Sequence, residues 1–208
     1  MTWTDAPPPR EWFLRGALEL ARDLLGSFLV STGPAGRVVV RLTEVEAYLG
    51  AEDPASHAYR GRTARNATMF GEGGHLYVYR HLGLHACANV VAGPEGVSQG
   101  VLLRAGEVVA GQELARERRT VRGTCRSDRD LARGPARLTV ATGIGPEHDG
   151  TDLLAPGGRV VLVPGEPVPE DRVSRGPRVG VAGSGELGAR LPYRLWLSGD
   201  RHVSAYRP

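Results

Sequence analysis

A chain of 208 residues with 41% hydrophobic side chains is long enough to bury a core and fits one domain or at most two small ones. No apolar run nears the roughly 18 to 20 residues of a membrane span, and the opening MTWTDAPPPREWF has neither a basic n-region nor an apolar h-region; a cytoplasmic protein without a membrane partner is expected. All 26 basic residues are arginine, in a chain of net charge +3, so a Walker phosphate loop, a lysine Schiff base and a pyridoxal phosphate site are excluded.

The segment APPP at 6–9 reads as part of an extended lead-in over residues 1–13. EWFLRGALELARDLLGSFLV then has helical spacing, with Leu14, Ala17, Leu18, Ala21, Leu24 and Leu25 on one stripe and Gly26 placed to stop the helix. Gly33 to Gly36 turn the chain into RVVVRLTEVEAYL, residues 37–49, which reads as a strand. Strict alternation puts Val38, Val40, Leu42, Glu44, Glu46 and Tyr48 on one face and Val39, Arg41, Thr43, Val45, Ala47 and Leu49 on the other. An apolar face thus turns acidic. Two readings stay open: the strand emerges into solvent near Glu44, or it carries a buried general base at a pocket floor, with Tyr48 as a wall.

Residues 50–74 are loop-like and polar, a length that inside a compact domain commonly carries function. HLYVYRHLGLHACANVV begins as a strand with His75, Tyr77, Tyr79 and His81 pointing one way, and Gly83 marks a hairpin before a second strand, Leu84 to Val91. GVLLRAGEV at 100–108 reads as a strand and VVAGQELARERR as a helix; the tail offers strand-like RVVLV, RVGVAG and YRLWLSG between Pro and Gly turns. These elements predict an α+β fold: a single domain, residues 14–208, with a curved, mainly antiparallel β-sheet flanked by helices and a protruding β-hairpin. Cys87 and Cys125 form neither a disulfide framework nor a zinc spacing.

Between Arg116 and Arg137 stand eight arginines against three acids. Such a stripe is either a solvated surface or the footprint of a polyanion.

RLTEVEAYLGAEDPASHAYRGRTARNATMF, GGHLYVYRHLGLHACANVV, VLLRAGE, LARGPARL and RVGVAG, in this order, resemble the alkyladenine (3-methyladenine, or methylpurine) DNA glycosylase family from about Leu18 to Ser204. The resemblance implies a base-excision enzyme acting on double-stranded DNA with damaged purines, as a monomer and without a cofactor or metal. It implies that Glu46 is the general base that activates water for attack at C1′ of a flipped nucleotide. Tyr48, His57 and Tyr79 become the aromatic walls for the extruded base, and Asn89 the discriminator against bases with a 2-amino group. Arg104 helps to hold the catalytic water and the 5′ phosphate, and a backbone carbonyl near Val179 is expected to assist. Arg62, Arg65 and Arg137 are expected DNA contacts. Leu82 stands where the family's wedge is usually tyrosine, and an apolar side chain can part a base step; His85 likewise replaces a common tyrosine. His81 and His85 flank a bend with no third ligand at suitable spacing, so no metal site is expected.

The chemistry agrees with these residues. Base removal from a duplex needs a stacking pocket, a wedge and phosphate grips, and a carboxylate can stabilise an oxocarbenium-like state while deprotonating water. Bifunctional glycosylases use an amine, and without lysine only the Met1 α-amino group remains; a monofunctional, water-using enzyme is expected. Two alternatives are a carbohydrate glycosidase using Glu44 and Glu46 as its paired acids, and a non-catalytic DNA-binding module.

Overall fold

Glycines and prolines punctuate the chain much as its sequence suggests. The computed structural model describes residues 6–123, 125–181 and 185–206. After a 3-10 turn at Arg10–Trp12 comes α1, Ala17–Leu24, which buries Ala17, Leu20, Ala21 and Leu24. Leu18, expected on that stripe, faces solvent instead, because one step along a helix rotates a side chain by about 100°. Gly26, at φ +84°, ends the helical region, and FLV, read with the helix, opens a strand, β1, Phe28–Gly33. Its β-branched and aromatic residues pair with a second strand across the Gly33–Gly36 turn.

That second strand is β2, Gly36–Tyr48. It is followed by an irregular segment with 3-10 turns at Gly50–Glu52 and Ala64–Phe70, then by the hairpin of β3, Leu76–His81, and β4, His85–Ala92. β5, Gln99–Ala110, leads through Gly111 into α2, Gln112–Val121. A two-residue strand, β6, Ala132–Arg133, precedes α3, Pro135–Thr142; β7, Val160–Val163, β8, Val173–Gly176, α4, Gly185–Arg190, and β9, Arg194–Leu197, complete the described elements. The tail motif RVGVAG contributes no strand over its described part; its Gly180 takes φ +75°, and Val173–Gly176 pairs with β9 in its place.

Among the described residues the strands make one nine-stranded sheet with the path β3-β4-β5-β2-β1-β7, and its ladders are antiparallel. β2 is its axis. β5 pairs along nearly all of it, whereas its other edge is shared, β1 taking residues 36–41 and β9 taking Glu44–Glu46. α1, α2 and α3 cover one face, over a core that includes Leu20, Leu24, Val38, Leu42, Val45, Leu103 and Leu138. The architecture is the expected α+β domain.

Strict alternation along β2 does not hold. Val38, Val40 and Leu42 sit in the core under the helices, and so do Val45 and Ala47. The core set shifts by one residue because the register slips. Leu42 pairs with Gly106 and Glu44 with Ala105, which leaves Thr43 as the extra residue of a β-bulge; Val45 then pairs with Leu103, which leaves Arg104 extra on β5. A one-residue slip exchanges the two faces of a strand. Glu44 and Glu46 therefore leave the apolar face and point to the opposite side of the sheet. A side chain at Gly106 would collide with Val40 and with the Arg41 carbonyl, so glycine is what lets the two backbones approach at this point.

Candidate active site

Cross-strand pairing sets the row of side chains on that second face. Tyr77 lies opposite Asn89, Asn89 opposite Leu102, and Leu102 opposite Glu46, while Tyr79 lies opposite Cys87. Opposed residues project to the same side of a sheet, so four strands supply one cavity wall. The cavity measures about 360 Å³ and is lined by Tyr48, His57, Met69, Tyr77, Tyr79, Cys87, Asn89, Leu102, Arg104, Pro135 and Val179 among others.

Tyr77 and Tyr79 stack with ring centroids 5.7 Å apart, and His57 meets Tyr79 edge-on at 4.4 Å. His57 Nδ1 lies 3.3 Å from the Tyr77 hydroxyl. Burial, helped by the positive charge of Arg65, holds the imidazole below its ordinary pKa, so it is neutral at physiological pH. Asn89 Nδ2 donates to the Tyr77 carbonyl at 3.2 Å. Burial pushes the Tyr77 hydroxyl up to about 12, which keeps it a neutral donor.

Beneath this cavity Glu46 is fully buried. Its Oε2 accepts from the Tyr48 hydroxyl at 3.0 Å and from Arg104 Nη1 at 3.2 Å, and its Oε1 accepts from the Val179 amide at 2.7 Å. The Val179 group that reaches the carboxylate is its backbone N–H. Burial raises the Glu46 carboxyl above its usual value, and Arg104, the Val179 amide and Tyr48 only partly offset it. Tyr48, Arg104 and Val179, the three residues bonded to Glu46, all line the cavity.

Glu44 has another environment. Its Oε1 accepts from Arg104 Nε at 3.0 Å, Arg194 Nε at 2.6 Å and the Ser204 hydroxyl at 2.9 Å, and its Oε2 accepts from the Ser204 amide at 2.7 Å. Burial alone would raise this carboxyl, but the two guanidiniums outweigh it and hold Glu44 below the ordinary range. A second buried pair stands behind Tyr48. Arg178 grips Asp53 at 2.5 and 2.8 Å, donates to the Ala47 and Gly188 carbonyls, and lies 4.6 Å over the Tyr48 ring. Asp53 also accepts from the Leu49 and Ala55 amides, fixing the segment that carries His57.

The sequence alone does not single out Arg178, Asp53, Arg194 and Ser204. Arg178 and Asp53 stand 125 positions apart, and no local pattern links them. Of the remaining predicted residues, Leu82 sits at the hairpin tip, 80% exposed, with φ +49°. Arg65 is exposed and donates to the Arg80 carbonyl at 3.1 Å, and Arg62 is exposed on the same segment. Arg137, on α3, is exposed and 3.8 Å from Asp130. The structure therefore gathers Tyr48, His57, Tyr79, Asn89 and Arg104 around one cavity over Glu46, and sets Leu82, Arg62, Arg65 and Arg137 outside it. Among the described residues no group of three or more His, Cys, Asp or Glu side chains is arranged to hold a metal ion.

The sequence profile of the family described as methylpurine-DNA glycosylase matches residues 11–201. Proteins whose names include 3-methyladenine DNA glycosylase are similar over nearly the whole chain. One from Streptomyces avermitilis is 53% identical over 97% of this chain and 92% of its own. One from Leifsonia xyli is 50% identical over 98% and 94%, and one from Nocardia farcinica 50% identical over 90% and 85%. An aromatic cavity over a buried carboxylate, a profile match across the domain and half-identical relatives agree, and the chain belongs to the methylpurine-DNA glycosylase family.

Proposed function

We propose that the protein is a monofunctional, monomeric base-excision enzyme that flips alkylated or deaminated purines out of duplex DNA and hydrolyses their N-glycosidic bond. 3-Methyladenine is the first substrate, with 7-methylguanine, hypoxanthine and ethenoadenine as its range. The observation that carries the reading is Glu46, a buried carboxylate with raised affinity for a proton beneath an aromatic cavity.

The steps follow from the side chains. Leu82 enters the base stack and takes the place of the extruded nucleotide. The base slides between Tyr48, His57 and Tyr79, whose π-faces attract the positive charge of an alkylated purine. Asn89, tied to the Tyr77 carbonyl, presents its amide to the base edge and disfavours a 2-amino group. Glu46, oriented by Arg104 and the Val179 amide, takes a proton from water as oxygen attacks C1′; the C1′–N bond breaks and its electrons leave with the base. The product is free base and an abasic strand. With no lysine in the chain, no borohydride-trapped protein–DNA adduct is expected.

A carbohydrate glycosidase would need Glu44 as a second working acid. Four donors occupy Glu44 and its charge is locked by two arginines, which argues against that reading. Glu46→Gln tests the proposal: base release in single turnover on a hypoxanthine or alkylated duplex falls by 10²-fold or more while binding of that duplex persists. Unchanged release would remove Glu46 from its role, and a variant that no longer binds the duplex would remove the test's premise that Glu46 acts on chemistry.

A further inference from the structure

On the far side of α3 from the aromatic cavity lies a second concavity of about 950 Å³, bounded by α2, α3 and the β3-β4 hairpin. Its cationic lining is Arg80, Arg118, Arg119, Arg122 and Arg137, with His85 beside them, against the two acids Glu117 and Glu147. Several arginines of the 116–137 stripe have protein partners: Arg118 donates to the Ala141 carbonyl, Arg133 to the Val203 carbonyl, and Arg116 pairs with Asp128. Arg119 does not. It is 8% exposed, makes no hydrogen bond or ion pair among the described residues, and has a buried Nε without an acceptor. Its electrostatic neighbours are Arg137, Cys125 and Asp130, and Asp130 is already shared by Arg133 at 3.7 Å and Arg137 at 3.8 Å.

A buried cation without an acceptor costs folding free energy. Three guanidiniums gathered around one carboxylate leave an excess of positive charge that an anion would complete. We propose that this groove is a phosphate-binding site for the DNA backbone, separate from the cavity that receives the flipped base, with Arg119 as its buried anchor.

DNA is the occupant the layout favours over an acidic protein segment. Arg80, Leu84 and His85 belong to the same hairpin as the wedge Leu82 and line the groove. Pro135 lines the cavity and Arg137, two residues on, lines the groove, so α3 forms the partition between them.

The inference rests on the glycosylase reading, and binding of an undamaged duplex separates the two. For Arg119→Met, which keeps side-chain length without charge, affinity falls on the order of tenfold at low salt. The slope of log affinity against log salt becomes shallower by about 0.9, the loss of one neutralised phosphate. The melting temperature does not fall, since the buried unpaired charge has gone. Wild-type affinity and slope in Arg119→Met overturn the site, as does a poly-glutamate peptide whose binding needs Arg119 while duplex binding does not. Should Arg119→Met not fold, Arg122→Gln at the exposed rim gives the same readout, and an unchanged slope there overturns the site. Base release by the wild type decides the glycosylase reading separately: release with an insensitive Arg119 fails only the groove, and no release with a sensitive Arg119 fails only the glycosylase.

Discussion

Glu44 and Glu46 stand two residues apart on β2, both fully buried and both hydrogen-bonded to Arg104, yet they hold protons in opposite senses. Burial pushes each carboxyl up. At Glu44 the second guanidinium, Arg194, tips the balance downward; Glu46 has only a share of Arg104, one amide and one hydroxyl, and the negative charge of Glu44 raises it further. One arginine serves both acids, and the difference comes from what else each can reach.

The first consequence is a pH profile. A general base works only when deprotonated, so base release rises with pH through the folded-state value of Glu46, and that value lies above the ordinary carboxylate range. Single-turnover rates on a duplex carrying an alkylated purine should show an acidic limb there. A limb at or below the free glutamate value of about 4.3 would contradict the environment described for Glu46.

Stability gains its own pH dependence from Glu44. Its pKa is depressed on folding, so its contribution is fully present above the unfolded value and is lost as pH falls through the folded one. Glu44→Ala leaves Arg194 Nε and Arg104 Nε without their acceptor in a buried place. Breaking such a pair costs about 3–5 kcal/mol, readable as a drop in the urea midpoint at neutral pH. A loss under about 1 kcal/mol would mean that water replaces the carboxylate freely.

Asp53→Asn removes one charge from the bidentate pair with Arg178 and should cost roughly 3 kcal/mol. The same change releases the segment that positions His57 and unseats the guanidinium over Tyr48. Binding of damaged duplex weakens along with stability. A variant that loses stability but keeps full affinity for the flipped base would disconnect this pair from the cavity walls.

Leu82 holds φ +49° at the hairpin tip with its side chain in solvent, a conformation that costs an L residue about 1–2 kcal/mol. Nothing in the fold recovers that cost through burial, which is the pattern expected where strain serves a ligand. Leu82→Gly should leave the melting temperature unchanged or raised and reduce the flipping equilibrium on the order of tenfold, the cost of a lost wedge of about 1.4 kcal/mol. Fluorescence of an ethenoadenine-containing duplex reports the flip, and a wild-type response would remove Leu82 from the wedge role.

Much of the fold is legible because its signals are local. Alternation finds β2, β3 and β5, and Gly83 marks the hairpin. Phe28–Gly33 is obscured because FLV continues an apolar run that also fits a helix. The cavity is half legible: Glu46, Tyr48, Tyr79 and Arg104 fall in short local motifs that carry the family resemblance, although the bulge at Thr43 and Arg104 defeats a plain count of faces, whereas Asp53, Arg178, Arg194 and Ser204 act across long sequence separations. The arginine stripe reads as one feature in sequence, but folding divides it. Arg116, Arg118 and Arg133 turn to acceptors of the protein itself, and Arg119 does not.

Thr43, the extra residue of the β2 bulge, acts as a switch of address for everything downstream of it. Pairing it in the ladder like any other residue would continue plain alternation from Leu42, drive Glu44 and Glu46 under the helices and turn Val45 and Ala47 toward the base-binding side. The same amino acids would then specify a charged core beside a greasy, inert hollow. Enzyme and scaffold share one uninterrupted strand here, and a single unpaired position tells the chain where construction ends and reactivity begins.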